Sequence, residues 1–226
     1  MSQYKIYPSL LDAFVWYQKS ESENSEREFI DKINRVPITD EKALERMNNG
    51  TALNELVDRY VTGERFEGNN GILTHVIDGK NYTANFSLVK ELGEYLSDSL
   101  IQPYVEATIN VDGNEVLIYG YMDYLDGFKA IDLKSTSSYD LGKYKGSMQR
   151  HLYPVCLASD GINVELFEFL VTDFESVFKE PYPVDLEESK AIVSNQCWML
   201  IEFLEAKKHL ITDKKIFAQD VELGTV

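Results

Sequence analysis

The sequence predicts a mixed α/β fold in which helices flank a central mixed sheet that contains an antiparallel three-stranded meander. Three observations carry this prediction. Residues 1–70 space their apolar positions as amphipathic helices do, the middle of the chain alternates apolar and polar residues between Asp-Gly turns, and the C-terminal part returns to helical spacing. A chain of 226 residues with 44% hydrophobic residues fits one globular domain with its own core.

The helical segments begin and end at recognisable residues. Thr39 before Asp40 and Glu41 is typical of a helix start. Asn48-Asn49-Gly50 predicts an interruption within the helix that begins there. Pro154 is expected to kink or end a later helix, because proline lacks the N–H of the helical ladder. Trp16 and Trp198 are expected in the core. The predicted helices span 8–19, 26–34, 40–61, 86–96, from about 142 onward, and 186–208.

Asp-Gly pairs set the predicted strand connections. Asp78-Gly79 joins two short strands as a hairpin, and Asp112-Gly113-Asn114 and Asp126-Gly127 join the three strands of the meander. A further apolar strand follows the fifth helix. The predicted strands span 72–77, 80–83, 104–111, 115–125, 128–134 and 163–172.

We expect a single domain over residues 1–226, with a helical portion (1–70), a core sheet that carries the site (71–180) and a C-terminal helical portion (181–226). No apolar run reaches the ~18 residues of a membrane span, and the N-terminus lacks the profile of a signal peptide. Two cysteines, Cys156 and Cys197, are too few for a tetrathiolate site and fit a reducing compartment. The sequence therefore predicts a cytoplasmic protein without a membrane partner.

The charge is strongly acidic overall but locally reversed. A net charge of −16 argues against a protein that coats nucleic acid, because phosphate contacts come from lysine and arginine. Residues 129–150 contain five basic and two acidic residues, which sum to 5 − 2 = +3. The basic residues beyond the strands, Lys143, Lys145 and Arg150, are candidates for substrate contacts at a basic lip.

Turn geometry brings acidic residues together. A two-residue loop at Asp126-Gly127 places Asp123 opposite Ala130, so that Asp123, Asp132 and Lys134 share one face of the sheet. The two carboxylates are then diagonal neighbours, roughly 7 Å apart at Cα. The same alternation across the preceding turn adds Glu106 to that face.

Crowded carboxylates predict a hard divalent cation. Three acids on one face repel one another unless a cation compensates them, and oxygen ligands favour Mg²⁺ or Mn²⁺. Such an ion activates water and neutralises a scissile phosphate, while Lys134 stabilises the developing charge. Gln149 and Tyr153 follow at i and i+4, on one face of the next helix. The constellation predicts phosphodiester hydrolysis.

These residues resemble the RecB-like branch of the PD-(D/E)XK nuclease superfamily, which includes phage-type exonucleases. The resemblance lies in Glu106, Gly120-x-x-Asp123, Asp132-Leu-Lys134 and Gln149-x-x-x-Tyr153, in this order. It implies a restriction-endonuclease-like core with an N-terminal helical subdomain. It also implies a metal-dependent deoxyribonuclease that acts on linear DNA at its ends, in phage or bacterial recombination or repair.

The resemblance assigns roles to residues of this chain. It implies that Asp123 and Asp132, with the Leu133 carbonyl and Glu106, ligate the metal and that Lys134 is catalytic. Gln149 and Tyr153 would position the nucleic acid. Upstream, Gly50-Thr-Ala-Leu-Asn54 resembles a helical segment in which the family has a metal-binding histidine, and here Asn54 occupies that position.

Two other functions stay open at this point. The Asn54 position and the acidic surface fit a nuclease-fold protein that binds DNA ends or a protein partner without cutting. A phosphatase or nucleotide hydrolase is weaker, because the chain has no Gly-rich phosphate loop. A homo-oligomer or a recombination partner protein is compatible with either nuclease-fold function.

Overall fold

A computed structural model of the chain describes residues 3–64, 66 and 71–218. It confirms the predicted mixed α/β class: two mixed sheets and a separate hairpin pack with six α-helices. The helices are α1 (Pro8–Lys19), α2 (Ser25–Ile33), α3 (Glu41–Val61), α4 (Phe86–Tyr95), α5 (Gln149–Ser159) and α6 (Leu186–Ala206). No helix of the described residues is long and apolar enough to cross a membrane.

Ten strands form the sheets. A three-stranded sheet has the order β1-β6-β5, a five-stranded sheet has the order β10-β9-β8-β7-β4, and β2 pairs with β3 as the predicted hairpin. The β1–β6 and β8–β9 pairs are parallel and the others are antiparallel. The strands are β1 (Tyr4–Ile6), β2 (Ile72–Ile77), β3 (Lys80–Asn85), β4 (Leu100–Ile101), β5 (Tyr104–Val111), β6 (Asn114–Tyr121), β7 (Tyr124–Asp126), β8 (Lys129–Ser135), β9 (Leu166–Thr172) and β10 (Val177–Pro183).

The predicted meander is wrong in one respect, since its middle strand is divided. The segment predicted as one strand over 115–125 forms β6 and β7, which belong to different sheets. Backbone hydrogen bonds from Gln102 N to the Asp123 carbonyl (2.8 Å) and from Met122 N to the Pro103 carbonyl (3.1 Å) connect the residues between β4 and β5 to those between β6 and β7. The hairpin therefore continues from one sheet into the other through a bend.

The predicted break at Gly50 and the predicted start of the fifth helix are also wrong. Helix α3 runs through Gly50, because that glycine lies where α3 meets β8: a Cβ on it would be 2.9 Å from Ser135 Oγ. Helix α5 starts at Gln149 rather than near Gly142, and it continues past Pro154 to Ser159. Val155, Cys156 and Leu157 are buried after the proline, and this packing offsets the missing hydrogen bond.

The core consists of two apolar layers on opposite faces of the five-stranded sheet. Ala130 and Phe169 face the layer formed by α1, α2, α5 and α6, whereas Ile131 and Leu133 face the layer formed by α3 and α4. The alternation along β8 therefore directs Asp132, like Ala130, towards α5. The two tryptophans were expected in the core, but they are partly exposed. Trp16 is 51% exposed and Trp198 is 44% exposed.

Candidate active site

The candidate site forms at the bend between β6 and β7. Pro103 lies opposite this bend and has no N–H to donate, while Gln102 has a positive φ of 47°. The regular ladder therefore stops at Tyr121 and resumes at Tyr124. Asp123 occupies the interruption between the two ladders.

The β7–β8 register differs from the predicted one but preserves the shared face. The hairpin closes at Asp126 and Lys129 around a Gly127–Phe128 loop, and Tyr124 pairs with Ile131. Asp123 therefore comes level with Asp132 rather than with Ala130. The pairing differs from the prediction by two positions in total, and an even shift leaves the alternation of side chains unchanged.

Five of the predicted residues meet here, four of them through their side chains. Asp123 Oδ2 accepts a hydrogen bond from Leu133 N at 2.8 Å. Asp132, which is 1% exposed, accepts one from Gln149 Nε2 at its Oδ1 (2.6 Å). Its Oδ2 lies 2.6 Å from Lys134 Nζ. The structure thus joins two carboxylates, one ammonium group and one amide.

The electrostatics of this group are those of two acids that share one cation. Burial raises the pKa of the Asp123 carboxyl, and the Asp132 charge raises it further, against the opposing effect of Lys134. Burial disfavours the charged form of Lys134, but Asp132 and Asp123 outweigh it and raise the pKa of the lysine. Lys134 is therefore held as a cation beside two carboxylates.

Tyr153 supports the bend between β6 and β7. Its hydroxyl donates to the Tyr121 carbonyl at 2.7 Å, and its ring lies against Gly120, where a Cβ would come within 3.1 Å of Tyr153 Cε1. The absence of a side chain at Gly120 therefore lets α5 approach β6. The ring of Tyr153 is buried, and it borders an open groove between the start of α1, the end of α2 and strand β6.

Asp12, on α1, was not predicted from the sequence patterns. Its carboxylate accepts hydrogen bonds from Met148 N (2.5 Å) and Ser147 Oγ (3.1 Å), directly before the first residue of α5. Burial raises the pKa of Asp12, while these hydrogen bonds and Lys134 oppose the rise. The one signal in the sequence was an acidic residue within the apolar run from Leu10 to Phe14.

The structure places Glu106 away from the other predicted acids. It pairs with Tyr119 across β5 and β6, as one of the predicted registers required, but those strands belong to the three-stranded sheet. Its side chain is exposed and accepts a hydrogen bond from Tyr104 at 2.5 Å. The bend between β6 and β7 separates Glu106 from the face that carries Asp132, so the expected third carboxylate is not there.

The three predicted basic contacts are dispersed. Lys143 Nζ donates to Thr136 Oγ1 (2.5 Å) and the Ser138 carbonyl (2.8 Å), which fastens the segment between β8 and α5. Lys145 is exposed on the same segment. The Arg150 guanidinium packs over the ring of Tyr182, 4.8 Å from its centre, and is not among the residues gathered around Asp132.

Asn54 lies on the stripe of α3 that crosses the hairpin. Gly50, four residues earlier, approaches β8, and Asp58, four residues later, accepts a hydrogen bond from Tyr124 of β7. Asn54 is half-buried between them, and its side chain makes no hydrogen bond to any residue that the structure describes. It therefore faces the same end of the sheet as the carboxylates.

The described residues contain no group of three histidine, cysteine or acidic side chains gathered as a metal site. A two-carboxylate site is nevertheless compatible with the donors present. Asp132 Oδ2 is buried, and apart from its ion pair with Lys134 it has no aligned hydrogen-bond donor among the described residues. A buried carboxylate oxygen that has only an ammonium partner among the described residues, and that lies beside a second carboxylate, suits a hard cation.

Comparisons with known proteins support the fold. No protein-family model matches the chain, and no curated protein matches it either. The chain is similar to the crystal structure of a "Putative exonuclease" from Eubacterium rectale, with 16% identity, a TM-score of 0.53, and coverage of 99% of this chain and 91% of that one. A second crystal structure, of SSO0001, matches with 11% identity and a TM-score of 0.41 over 88% of this chain and 77% of that one. The likeness to the Eubacterium rectale protein establishes a common fold over nearly the whole length of both chains.

Proposed function

We propose that this protein is a divalent-metal-dependent nuclease of the PD-(D/E)XK type that hydrolyses phosphodiester bonds in DNA. One observation carries the proposal: Asp123 and Asp132 meet beside Lys134 at the bend of the hairpin. Burying two carboxylates together is costly, and a catalytic cation site gives a reason for it. The name of the Eubacterium rectale protein, which shares the fold, is consistent with this chemistry.

The residues present suit Mg²⁺ or Mn²⁺. Asp123 and Asp132 would supply carboxylate oxygens and Leu133 its carbonyl, because in an extended strand the C=O of a residue points to the same side as its N–H, and the Leu133 N–H points to Asp123. Asn54 would add an amide oxygen from α3. When bound, the ion would polarise the scissile phosphate and lower the pKa of a bound water.

The protein groups around the ion have separate tasks. Lys134 stays protonated, so it suits stabilisation of the negative charge that develops on the phosphate rather than abstraction of a proton. Gln149 donates to Asp132 Oδ1 and so fixes the orientation of that carboxylate. Tyr153 holds the backbone of Tyr121 at the edge of the bend.

An exonucleolytic mode at the ends of linear DNA is part of the proposal. It rests on the sequence resemblance and on the name of the neighbouring structure. Lys143 and Lys145, basic residues of the segment between β8 and α5, are the candidates for contacts to the DNA backbone.

The test is cleavage of linear DNA, labelled at its 5′ or 3′ end, by the purified protein with Mn²⁺ or Mg²⁺. We expect Asp123→Asn and Lys134→Ala to lower the rate by about 100-fold or more, the size of loss seen when a group that stabilises the transition state is removed. Asp140→Asn, which removes an exposed acid from the segment before α5, is the matched control and should cleave as the wild type does.

A stability measurement separates this loss from unfolding. Asp123→Asn replaces a buried acid, whose pKa is raised by burial and by Asp132, with a neutral amide that can still accept the hydrogen bond from Leu133 N. Its thermal midpoint should therefore equal or exceed that of the wild type. Intact DNA and RNA substrates with every metal and both end types would contradict the proposal.

A second candidate function is binding of DNA ends without cleavage. The observation that favours it is Asn54, since an amide oxygen is a weaker ligand for Mn²⁺ than the imidazole that the resembled family has there. This alternative predicts that Asp132→Asn leaves DNA binding intact and that cleavage is absent even in the wild type.

A further inference from the structure

A groove beside the candidate site differs in charge from the rest of the molecule. It has a volume of about 610 Å³ and lies between the start of α1, the end of α2 and strand β6. Lys32 and Arg35 line it, and none of its described lining residues is acidic. On a chain with a net charge of −16, such a groove is a local site for an anion.

The groove leads to the carboxylates. Gln149 and Tyr153 are among its lining residues, and Gln149 is the residue that hydrogen-bonds Asp132 at 2.6 Å. The groove and the candidate site therefore share a wall formed by the first turn of α5. A ligand that occupied both would place one of its ends beside Asp132.

Tyrosine rings line the outer part of the groove. Tyr7 and Tyr119 meet edge to face with centroids 6.1 Å apart, and Tyr121 is 66% exposed. Tyr104 packs on Tyr121 at a centroid distance of 5.2 Å and a tilt of 57°, which supports one side of the ring. An exposed tyrosine that is held from one side offers its other face for stacking.

The two cations are not equivalent. Arg35 Nε lies 2.8 Å from Asp213 Oδ2, so its charge is largely compensated. Lys32 is exposed, and no acidic residue in the described part of the chain forms an ion pair with it. Lys32 is therefore the cation of the groove that is available to a phosphate group.

We propose that this groove binds an unpaired polynucleotide strand and delivers it to the candidate site, an inference that rests on the proposed nuclease function. Unpaired bases can stack on Tyr121, whereas the bases of a duplex stack on one another and hide their faces. Alternating aromatic and basic side chains are the features that track a single strand. The groove would thus make single-stranded nucleic acid the preferred substrate.

The test is binding of a fluorescently labelled oligothymidylate, an oligouridylate and a blunt DNA duplex, measured by anisotropy with EDTA present so that no cleavage occurs. We expect oligothymidylate to bind more tightly than the duplex, and Tyr121→Ala to weaken its binding about tenfold, within the range reported for loss of one stacked base. Lys32→Ala should reduce the salt slope of binding by about 0.7, the value for one phosphate contact on a single strand. The oligouridylate shows whether the groove distinguishes DNA from RNA.

Matched controls exist on the same chain. Phe128 is 69% exposed at the β7–β8 turn and does not line the groove, so Phe128→Ala should bind as the wild type does. Lys42, an exposed lysine of α3, serves the same purpose for Lys32. Wild-type affinity in both groove variants, no binding of oligothymidylate by the wild type, or a duplex bound at least as tightly, would overturn the inference.

The same samples separate this inference from the proposed function. Cleavage measured after addition of Mn²⁺ reports on Asp132 and Lys134, while binding in EDTA reports on the groove alone. If Tyr121 and Lys32 control binding but the wild type never cleaves, the nuclease proposal fails and the groove stands. If the wild type cleaves with unchanged binding in both groove variants, the groove inference fails and the nuclease proposal stands.

Discussion

Asp132 illustrates the energetic argument for a functional site. Its carboxylate is 1% exposed and is held by Lys134 and Gln149, while the second carboxylate, Asp123, lies beside it. Replacing a buried ion pair by apolar residues of similar size is often neutral or stabilising, so a fold does not need such a group for stability. The proposed role in binding a cation and a phosphate gives a reason for this burial.

His151 shows a different kind of buried polar residue. It lies between Gln149 and Tyr153 in the sequence, yet its ring is only 7% exposed and its Nδ1 is 3.1 Å from Ser189 Oγ of α6. Burial, with the neighbouring Arg150 charge, lowers the pKa of His151 to about 4. Its place is the contact between two helices and not the candidate site.

The pKa of His151 predicts a pH dependence of stability. Because the folded-state pKa lies below the unfolded value of about 6.5, protons bind the unfolded chain more strongly, and stability is lost as the pH falls from about 6.5 towards 4. His151→Gln can keep a hydrogen bond with Ser189 and does not titrate. We expect this variant to lose roughly 1–2 kcal/mol less than the wild type between pH 7 and pH 5. Urea unfolding at the two pH values measures the difference, and equal losses would contradict the buried, neutral histidine.

At the scale of elements, helices were predictable because their spacing is local. Helix α1 has its predicted limits, and α4 and α6 differ from theirs by one or two residues. Strand β10 was missed because Pro181 and Pro183 argue against a strand, but it lies at the edge of its sheet, where proline is tolerated. The bend between β6 and β7, opposite Pro103, was missed because it depends on residues of the neighbouring strand. The alternation of residues within one strand carries no information about them.

The candidate site, like the elements, was predictable where local patterns determine it. The alternation of side chains across a two-residue turn places Asp123, Asp132 and Lys134 on one face whether the loop begins at Asp126 or Gly127. The two-position error in register therefore did not change the face that they share. It failed for Glu106 because the strands change sheets between Tyr121 and Tyr124. Contacts between distant parts of the chain, such as the one from Asp12 to Met148, have no local pattern from which they could be predicted.

Asp12 should control the start of α5. Asp12→Ala leaves Met148 N without its acceptor, which we expect to lower the free energy of unfolding by about 1–2 kcal/mol, as for loss of a helix cap. Because α5 carries Gln149, the variant should also lower kcat more than it raises KM. Asp12→Asn retains an acceptor oxygen and should restore most of both quantities. A stable Asp12→Ala protein with wild-type kcat would contradict a positioning role.

The contact between α3 and α4 depends on Gly93. A Cβ on Gly93 would lie 2.8 Å from Cγ and 3.1 Å from Cβ of Tyr60, so Gly93→Ala must displace that ring or separate the helices. We expect a net destabilisation of about 1–2 kcal/mol, because overpacking exceeds the helix propensity gained by alanine. Gly146→Ala, where a Cβ meets no neighbour within 4 Å, is the control and should be near neutral. Thermal unfolding by circular dichroism compares the two, and a stabilised Gly93→Ala would show that the helices are farther apart than described.

At the scale of the whole molecule, the five-stranded sheet separates two apolar layers and also connects them. Neighbouring residues of β8 serve opposite layers: Ala130 packs with α5 and α6, and Ile131 packs with α3 and α4. If either layer separates from the sheet, the apolar residues of the sheet that serve the other layer also become exposed. Asp132 lies on this shared strand, so the geometry of the candidate site depends on both layers.

This sharing predicts that the two layers unfold together. Both tryptophans, Trp16 and Trp198, lie on α1 and α6, so their fluorescence reports only on one layer. Leu56 is buried in the other layer, on α3, and Leu56→Ala should lower the free energy of unfolding by about 2–5 kcal/mol. If the chain is one cooperative domain, the urea midpoint moves equally by tryptophan fluorescence and by far-ultraviolet circular dichroism. Leu200→Ala, in the tryptophan-bearing layer, is the matched control and should move both probes in the same way. The contrary result would be an unchanged fluorescence transition in Leu56→Ala together with a biphasic circular dichroism transition. It would show that the layers are separate folding units. The strand that carries Asp132 could then lose one of its supports while the other remains folded.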